Sequence, residues 1–349
     1  MTENKSEIFK KTVHGPLGAQ TLAAQVSPPD PIYDTPDMAP KELEAFIHEK
    51  GIVGQDRAVK TTALILYRHF CMNSPSVNLF CGPTGSGKTQ IWRILAAEFP
   101  FIRIFDSSSL TNEGWRGSNK LSYQFRAMHP AIREKSILVF DEFDKLLEPK
   151  ATTGMNVTET IQNELLKLFD HDILFYGPEN NNDEPLTVNT KNVSVVLLGA
   201  FEKLLKSKSS VNVAVGFGAQ QRGKNLTYAD TEITLDDLLK HTEIRPEIAG
   251  RIDRIVSMDP LSVQDHYRIL LKYVDSIKHR TGTNVTIDPF VLQQIAASAV
   301  NISLGARWAI HRVDAMIDDM LFDNPFDYSY FCSNETDDNE TERPVTEND

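Results

Sequence analysis

The stretch that most constrains this chain is "VNLFCGPTGSGKTQIWRIL", residues 77–95. A short apolar run leads into a glycine-rich turn, and the turn leads into a helical pattern. Gly82, Pro83, Thr84, Gly85, Ser86, Gly87, Lys88 and Thr89 satisfy G-x-x-x-x-G-K-[ST] in the strand–loop–helix context that the motif requires. Glycines let consecutive backbone N–H groups converge on phosphate oxygens, and the following helix N-terminus adds partial positive charge. The motif therefore predicts a nucleotide cradle over Pro83, Thr84, Gly85, Ser86, Gly87, Lys88, Thr89 and Gln90. Lys88 would reach the β and γ phosphates of ATP, and the Thr89 hydroxyl would bind Mg²⁺. The plainer alternative, a glycine turn that only caps a helix, is disfavoured by the strand before it and the helix after it.

The surroundings agree with a P-loop α/β domain, a parallel sheet flanked by helices. The runs "VNLFC", "FIRIF", "SILVF" and "VSVVLL" are strand candidates, short and apolar as strands buried on both faces should be. They alternate with longer helical patterns, as in a parallel sheet. The sequence divides into a loose proline-containing arm (1–36), a large α/β ATPase domain (37–257), a small helical domain (258–325) and an acidic tail expected to be disordered (326–349). Residues 262–323 read as all helical. Within them Val313, Met316, Ile317, Met320 and Leu321 recur at the spacing of one apolar helix face.

A second motif turns binding into chemistry. In "SILVFDEFDK" an apolar strand ends on Asp141 and Glu142, at the edge where α/β sheets place ligand-binding residues. Asp141 suits a Mg²⁺ shell and Glu142 suits polarising an attacking water. Two adjacent acids can also simply open a solvated turn; following a P-loop, the catalytic reading is preferred. Asp144 and Lys145 read as a local surface charge pair. The net charge of −12 argues against a general nucleic-acid binder, because neutralising phosphates needs concentrated Lys and Arg. Three cysteines without a C-x-x-C support neither a disulfide framework nor a zinc site. With no apolar leader or membrane-length run, a cytoplasmic location is expected.

Five ordered stretches, "GIVGQDRAVK", "GPTGSGKT", "DEFDK", "RPEIAGRID" and "LGARWAIHRV", together resemble the AAA+ ATPases of the ClpX and HslU group, the Clp/HSP100 unfoldases, and the ClpX branch most closely. The resemblance spans residues 35–323. It implies an ATP-hydrolysing α/β domain, a small helical domain, nucleotide bound between them, a homohexameric ring and polypeptide substrates. By position it implies that Ile52 and Val53 line the adenine pocket, and that Arg251 of "AGRID" is an arginine finger reaching a neighbouring subunit. Arg307 of "GAR" would be the sensor arginine coupling the small domain to the nucleotide. An always-charged guanidinium suits developing phosphoryl charge.

The same resemblance addresses "EGWRGS". Gly114, Trp115, Arg116 and Gly117 stand where that family has a pore loop, with Trp115 in place of its usual tyrosine. The indole either grips an extended polypeptide on a glycine-hinged loop or folds back as a partly buried anchor. Arg116 replaces an apolar residue, which favours acidic or mixed-charge substrates. In "AVGFGA", Val215, Gly216 and Phe217 resemble the loop that docks on a ClpP-type peptidase ring; a glycine turn with a buried phenylalanine is the alternative. There are departures. The family's zinc-binding N-terminal module has no counterpart, its basic pore-mouth loop is replaced by "YGPENNNDEPLTVNTK", and "VVLLGAF" offers no polar side chain to sense phosphate. The rival functions are an AAA+ motor acting on nucleoprotein or nucleic acid, and a nucleotide-binding scaffold with weak hydrolysis.

Overall fold

The computed structural model describes residues 37–110, 120–148, 151–152, 155–178, 184–204, 232–281, 284–302, 305–323 and 329–332. The chain separates into Met1–Ile32 and Tyr33–Asp349, and every described residue belongs to the second unit. Trp115 and its glycines, and Val215, Gly216 and Phe217, lie outside the described residues.

Two helices precede the sheet, α1 (Pro40–Glu49) and α2 (Asp56–Cys71). The strands in chain order are β1 (Val77–Cys81), β2 (Ile102–Asp106), β3 (Ile137–Asp141), β4 (Ala151–Thr152), β5 (Met155–Asn156), β6 (Ile173–Tyr176), β7 (Leu186–Asn189), β8 (Ser194–Gly199) and β9 (Arg254–Ser257). A five-stranded sheet runs β2-β3-β8-β1-β9, parallel at every step. β4–β5 and β6–β7 are separate antiparallel pairs. The helix α3 (Lys88–Glu98) follows β1.

Strand periodicity divides the core. Leu79, Cys81, Leu138, Phe140, Val195 and Leu197 join one apolar cluster with the helix Val157–Phe169. Phe80, Val139, Val196 and Leu198 face the other way, onto Leu43, Ile47, Leu66 and Trp92 of α1, α2 and α3. The central strands β1 and β8 are buried at every residue, as their short, mainly apolar runs predict. "FIRIF" differs: β2 is the sheet's edge, burying Ile102 and Phe105 and exposing Arg103 and Asp106. β9, which completes the other edge, lacks the apolar run of its neighbours because it begins on exposed Arg254.

A third cluster is built from the helices Val263–Thr281, Pro289–Asn301 and Gly305–Asp323, around Leu270, Leu292, Ala296 and Val313. The all-helical expectation for residues 262–323 is corrected here. Strand β10 (Asn284–Ile287) lies within them and buries Val285 and Ile287 on alternate positions. It pairs in parallel with β11 (Ser329–Cys332), so the range 326–349, expected as a disordered tail, contains a strand. The aromatic "SYFC" has the β-propensity to supply it. On the last helix, Val313 and Ile317 are buried and Met316 and Met320 pack against the cluster, but Leu321 is exposed. It lies near the helix end, beyond the layer that faces the bundle.

One buried polar network ties α2 beneath the sheet. His69 Nε2 donates to Lys135 O at 3.1 Å, Ser194 Oγ donates to His69 Nδ1 at 2.8 Å, and Ser76 N–H donates to Ser194 Oγ at 3.1 Å. Burial pushes the imidazole down to about 4, with the Lys135 carbonyl acting in the opposite direction. The folded value lies below the ordinary one, so the stability this neutral histidine contributes is complete above about pH 6.5 and is lost as pH falls through about 4. His69→Gln, which cannot charge, is expected to flatten the fall of Tm between pH 6.5 and 4. An unchanged acid slope would assign that slope to other groups.

Candidate active site

The glycine-rich turn leaves β1 at Gly82, whose N–H donates to Gly199 O at 3.3 Å at the end of β8. Gly85 and Gly87 take φ of 80° and 97°, which side-chain-bearing residues rarely adopt. Gly87 is the N-cap of α3 and provides no capping side chain. The first N–H groups of α3 are thus left for a ligand, and the helix dipole favours an anion there. Ser86 Oγ is buried without a partner.

Lys88 opens α3 and folds back on its own turn. Its Nζ donates to Gly82 O at 2.6 Å and Pro83 O at 2.8 Å. Burial lowers the amine to about 8, while Asp144, Asp141 and Glu202 hold its charge in place. The Thr89 hydroxyl donates to Asp141 Oδ1 at 3.0 Å, bridging the P-loop and the end of β3 across the intervening β8. Glu142 is exposed and sits at φ 55°, a left-handed conformation costly for a residue with a side chain. Its N–H donates to Asp141 Oδ1 at 3.1 Å, so one carboxylate oxygen anchors both neighbours.

Two cavities meet along the P-loop. One, of about 680 Å³, includes Thr84, Lys88, Asp141, Glu142, Glu202 and Arg307 in its lining. The other, of about 560 Å³, is lined by Ile52, Val53, Ser86, Gly87, Gln90, Tyr273 and Ile310 among others. Gly85, Lys88, Thr89, Arg93 and Arg307 border both. Each has the size of a small-molecule site, and the pair offers a polar end and an apolar end on either side of the phosphate cradle.

Arg307 reaches this border because Gly305 does. Gly305 has φ 70°, and a Cβ on it would lie 2.7 Å from Gly85 Cα and 3.0 Å from Thr84 O. Only glycine allows the last helix to begin against the P-loop. Tyr273, whose hydroxyl bonds Asp314 on that helix, faces the apolar cavity.

Arg251 lines neither cavity; it lies on the surface, its Nε donating to Asp170 Oδ1 at 2.5 Å. The charge-pair reading of Asp144 and Lys145 is corrected. Asp144 Oδ2 accepts from Phe201 N at 3.3 Å, and Lys145 pairs with Glu148 instead. Asp144 thereby holds the turn after β8, where Phe201 takes φ 51°. The polar group at this turn is Glu202, one residue beyond "VVLLGAF", which accepts from Thr84 Oγ1 at 3.4 Å. Sequence reasoning missed Gly305, Arg93, Glu202 and Tyr273. Of these, Gly305 alone had a signal, its place immediately before "AR".

Residues 78–208 match the ATPase family associated with various cellular activities (AAA). Over 326 residues the chain is 28% identical to the ATP-dependent Clp protease ATP-binding subunit ClpX of Treponema denticola, a match covering 82% of this chain and 77% of that protein. The ClpX of Borrelia duttonii is likewise 28% identical over 331 residues, covering 82% of this chain and 74% of that protein. The chain carries an AAA ATPase domain and resembles ClpX over most of its length. It hydrolyses ATP, on a parallel α/β sheet followed by a bundle of C-terminal helices. Among the described residues, no helix of this ATPase is long and apolar enough to cross a membrane.

The Lys88 amine gives a direct test of phosphate contact. Near pH 8 it is half neutral in the free protein, and a phosphate beside it would restore the proton. ATP binding is therefore expected to take up a fraction of a proton at pH 8.5 and almost none at pH 7. Calorimetry in buffers of different ionisation enthalpy measures this directly. Equal uptake at both values would place the phosphates away from Lys88.

Proposed function

We propose that this ATPase assembles as a homohexameric ring that unfolds or remodels protein substrates, drawing polypeptide through a central channel. The observation that carries the reading is the approach of Gly305 to Gly85, with Arg307 bordering both cavities. A γ-phosphate gained or lost at the P-loop would be felt at the first turn of a helix that belongs to a separate apolar core. Chemistry is thereby connected to movement of that core.

The site residues take roles that suit their surroundings. Ile52 and Val53 would contact the adenine, and Pro83, Thr84, Gly85, Ser86, Gly87, Lys88, Thr89 and Gln90 the phosphates, with Lys88 exchanging its P-loop carbonyls for the β and γ oxygens. Thr89 Oγ1 and Asp141 Oδ1, already 3.0 Å apart, are hard oxygen donors that fit Mg²⁺. Bound there, the ion would neutralise charge on the β and γ oxygens. Glu142, held at the mouth by its left-handed turn, would take a proton from the attacking water. Arg307 would follow the γ-phosphate, and Arg251 would reach the site of a neighbouring copy.

Trp115, between Gly114 and Gly117 and beside Arg116, would grip the polypeptide. Val215, Gly216 and Phe217 would dock on a ClpP-type peptidase ring. The name carried by the two relatives, the ATP-binding subunit of an ATP-dependent Clp protease, supports such a partner. The net charge of −12 favours protein over nucleic acid as the cargo.

Glu142→Gln is expected to bind ATP normally while turnover falls by about 10²- to 10⁴-fold, because the carboxylate acts on water rather than on binding. Turnover at the wild-type rate would remove Glu142 from the chemistry. Mechanical work is tested separately. Trp115→Ala should keep its Tm and ATPase rate yet fail to unfold a stable fluorescent substrate, and Trp115→Tyr should restore most of that work. A fall of about 3 to 5 kcal/mol in stability, with ATPase lost in parallel, would instead make Trp115 a core anchor.

A further inference from the structure

Arg251 is held unusually well for an exposed arginine, and the restraint bears on its direction. The backbone around it is fixed on both sides. Before it, Ile248 and Ala249 of the short helix Pro246–Ala249 are buried. After it, Ile252 is buried, and Asp253 clamps the start of β1: its N–H donates to Val77 O at 2.8 Å and its Oδ2 accepts from Val77 N at 2.8 Å. The Cα of Arg251 is therefore registered to the central sheet. Its flexible side chain is then restrained at two points, Nε on Asp170 Oδ1 at 2.5 Å and Nη1 on Glu247 O at 3.0 Å. Guanidinium has five N–H donors in a rigid fork. With Nε and one Nη1 hydrogen engaged, Nη2 and the other Nη1 hydrogen have no partner among the described residues.

Asp170 is badly placed by local rules. It directly follows the helix Val157–Phe169, and its N–H closes the last turn on Leu166 O at 2.9 Å. A carboxylate there faces the negative end of the helix dipole, an unfavourable arrangement. The ion pair is 39% exposed on the arginine and 32% on the aspartate, and a pair this exposed adds little stability. Its clear structural consequence is geometric: it fixes the plane and heading of the fork.

We infer that Asp170 is a positioning residue for Arg251, holding Nε so that the unengaged edge of the guanidinium is presented to the phosphate of a neighbouring subunit. This rests on the role proposed above for Arg251. A preset fork spends no rotamer freedom when the neighbour's nucleotide arrives, and misplacement of such a group by about 1 Å can cost on the order of 10²-fold in rate.

The test measures steady-state ATPase, nucleotide affinity and Tm for Asp170→Ala, Asp170→Asn, Arg251→Ala and the double variant. Arg251→Ala should lose about 10³-fold or more in kcat with nucleotide affinity kept. Asp170→Ala should lose about 10- to 100-fold in kcat, with KM and Tm near wild type. Asp170→Asn, which keeps an acceptor for Nε, should recover most of that loss. In the Arg251→Ala background, removing Asp170 should cost nothing further, because nothing remains to orient. If Arg251→Ala loses turnover while Asp170→Ala does not, the inference falls and the role of Arg251 stands. If the Asp170→Ala loss comes with a lowered Tm, or adds fully to that of Arg251→Ala, Asp170 is a structural pin and the inference is overturned. If Arg251→Ala hydrolyses ATP at the wild-type rate, the inference falls together with the reading beneath it.

Discussion

The parallel ladder that sets β3, β8 and β1 side by side is the constraint on which the site depends. Its register pairs Cys81 with Gly199 and Phe140 with Leu197, so the three strands end at one edge, and the P-loop, the Asp141–Glu142 turn and the Gly199–Phe201 turn emerge together. Parallel sheets collect strand ends from distant parts of a chain in this way, and ligands settle in the crevice outside those ends. The 3.0 Å bond from Thr89 to Asp141 joins the first turn of α3 to the end of β3, two strands away from β1, and so depends on the strand ends lying level. The left-handed residues Glu142 and Phe201 sit where two of these strands stop. Local strain of this kind persists when the surrounding structure overdetermines it, here a sheet buried on both faces.

The last helix, Gly305–Asp323, meets this edge at a close approach of its first residue. The apolar cluster of the C-terminal helices is separate from the two that sandwich the sheet, so movement of the bundle need not disturb the main core. The contact with the P-loop is backbone against backbone, Gly305 upon Thr84 and Gly85. Such a contact has little slack, since packed atoms resist compression over tenths of an ångström. On the function proposed above, a change of P-loop shape would be met by moving the helix that carries Arg307. At the helix Val263–Thr281 the connection is polar: Ser262 and Asp265 cap each other, and Asp265 lies against Gly54 of the segment leading into α2.

Among the described residues, the charged groups proposed for the chemistry divide between those that border the two cavities and one that stands apart on the surface. Lys88, Asp141, Glu142 and Arg307 border cavities of their own subunit, whereas Arg251 stands apart with its backbone riveted to β1 and its side chain steered by Asp170. An arginine free to wander over a surface would cost rotamer entropy on each encounter, and a steered one does not. On the proposal above, the exposed pair would have a use that its small contribution to stability does not reveal.

What the sequence determined by itself was local. The four mainly apolar runs identified four of the five sheet strands, because the central strands are buried on both faces and the edge strand β2 still buries Ile102 and Phe105, and the P-loop glycines announced a phosphate cradle, because few other turns need that backbone. Arg251 and Arg307 were legible only through the resemblance carried by their motifs. Tertiary structure alone decided the rest. β9 starts on a charged residue and is a strand because Asp253 delivers it to the free edge of β1. β10 and β11 define each other across a helical pair, a pairing that no local period reports. Asp144, which looked like one half of a surface pair, bonds Phe201 N, and Glu202 reaches Thr84, since strands adjacent in the sheet are distant in the chain. Composition and period specify which faces are buried. Which side chains meet at a strand's end is set by sheet order, and sheet order is a property of the whole chain.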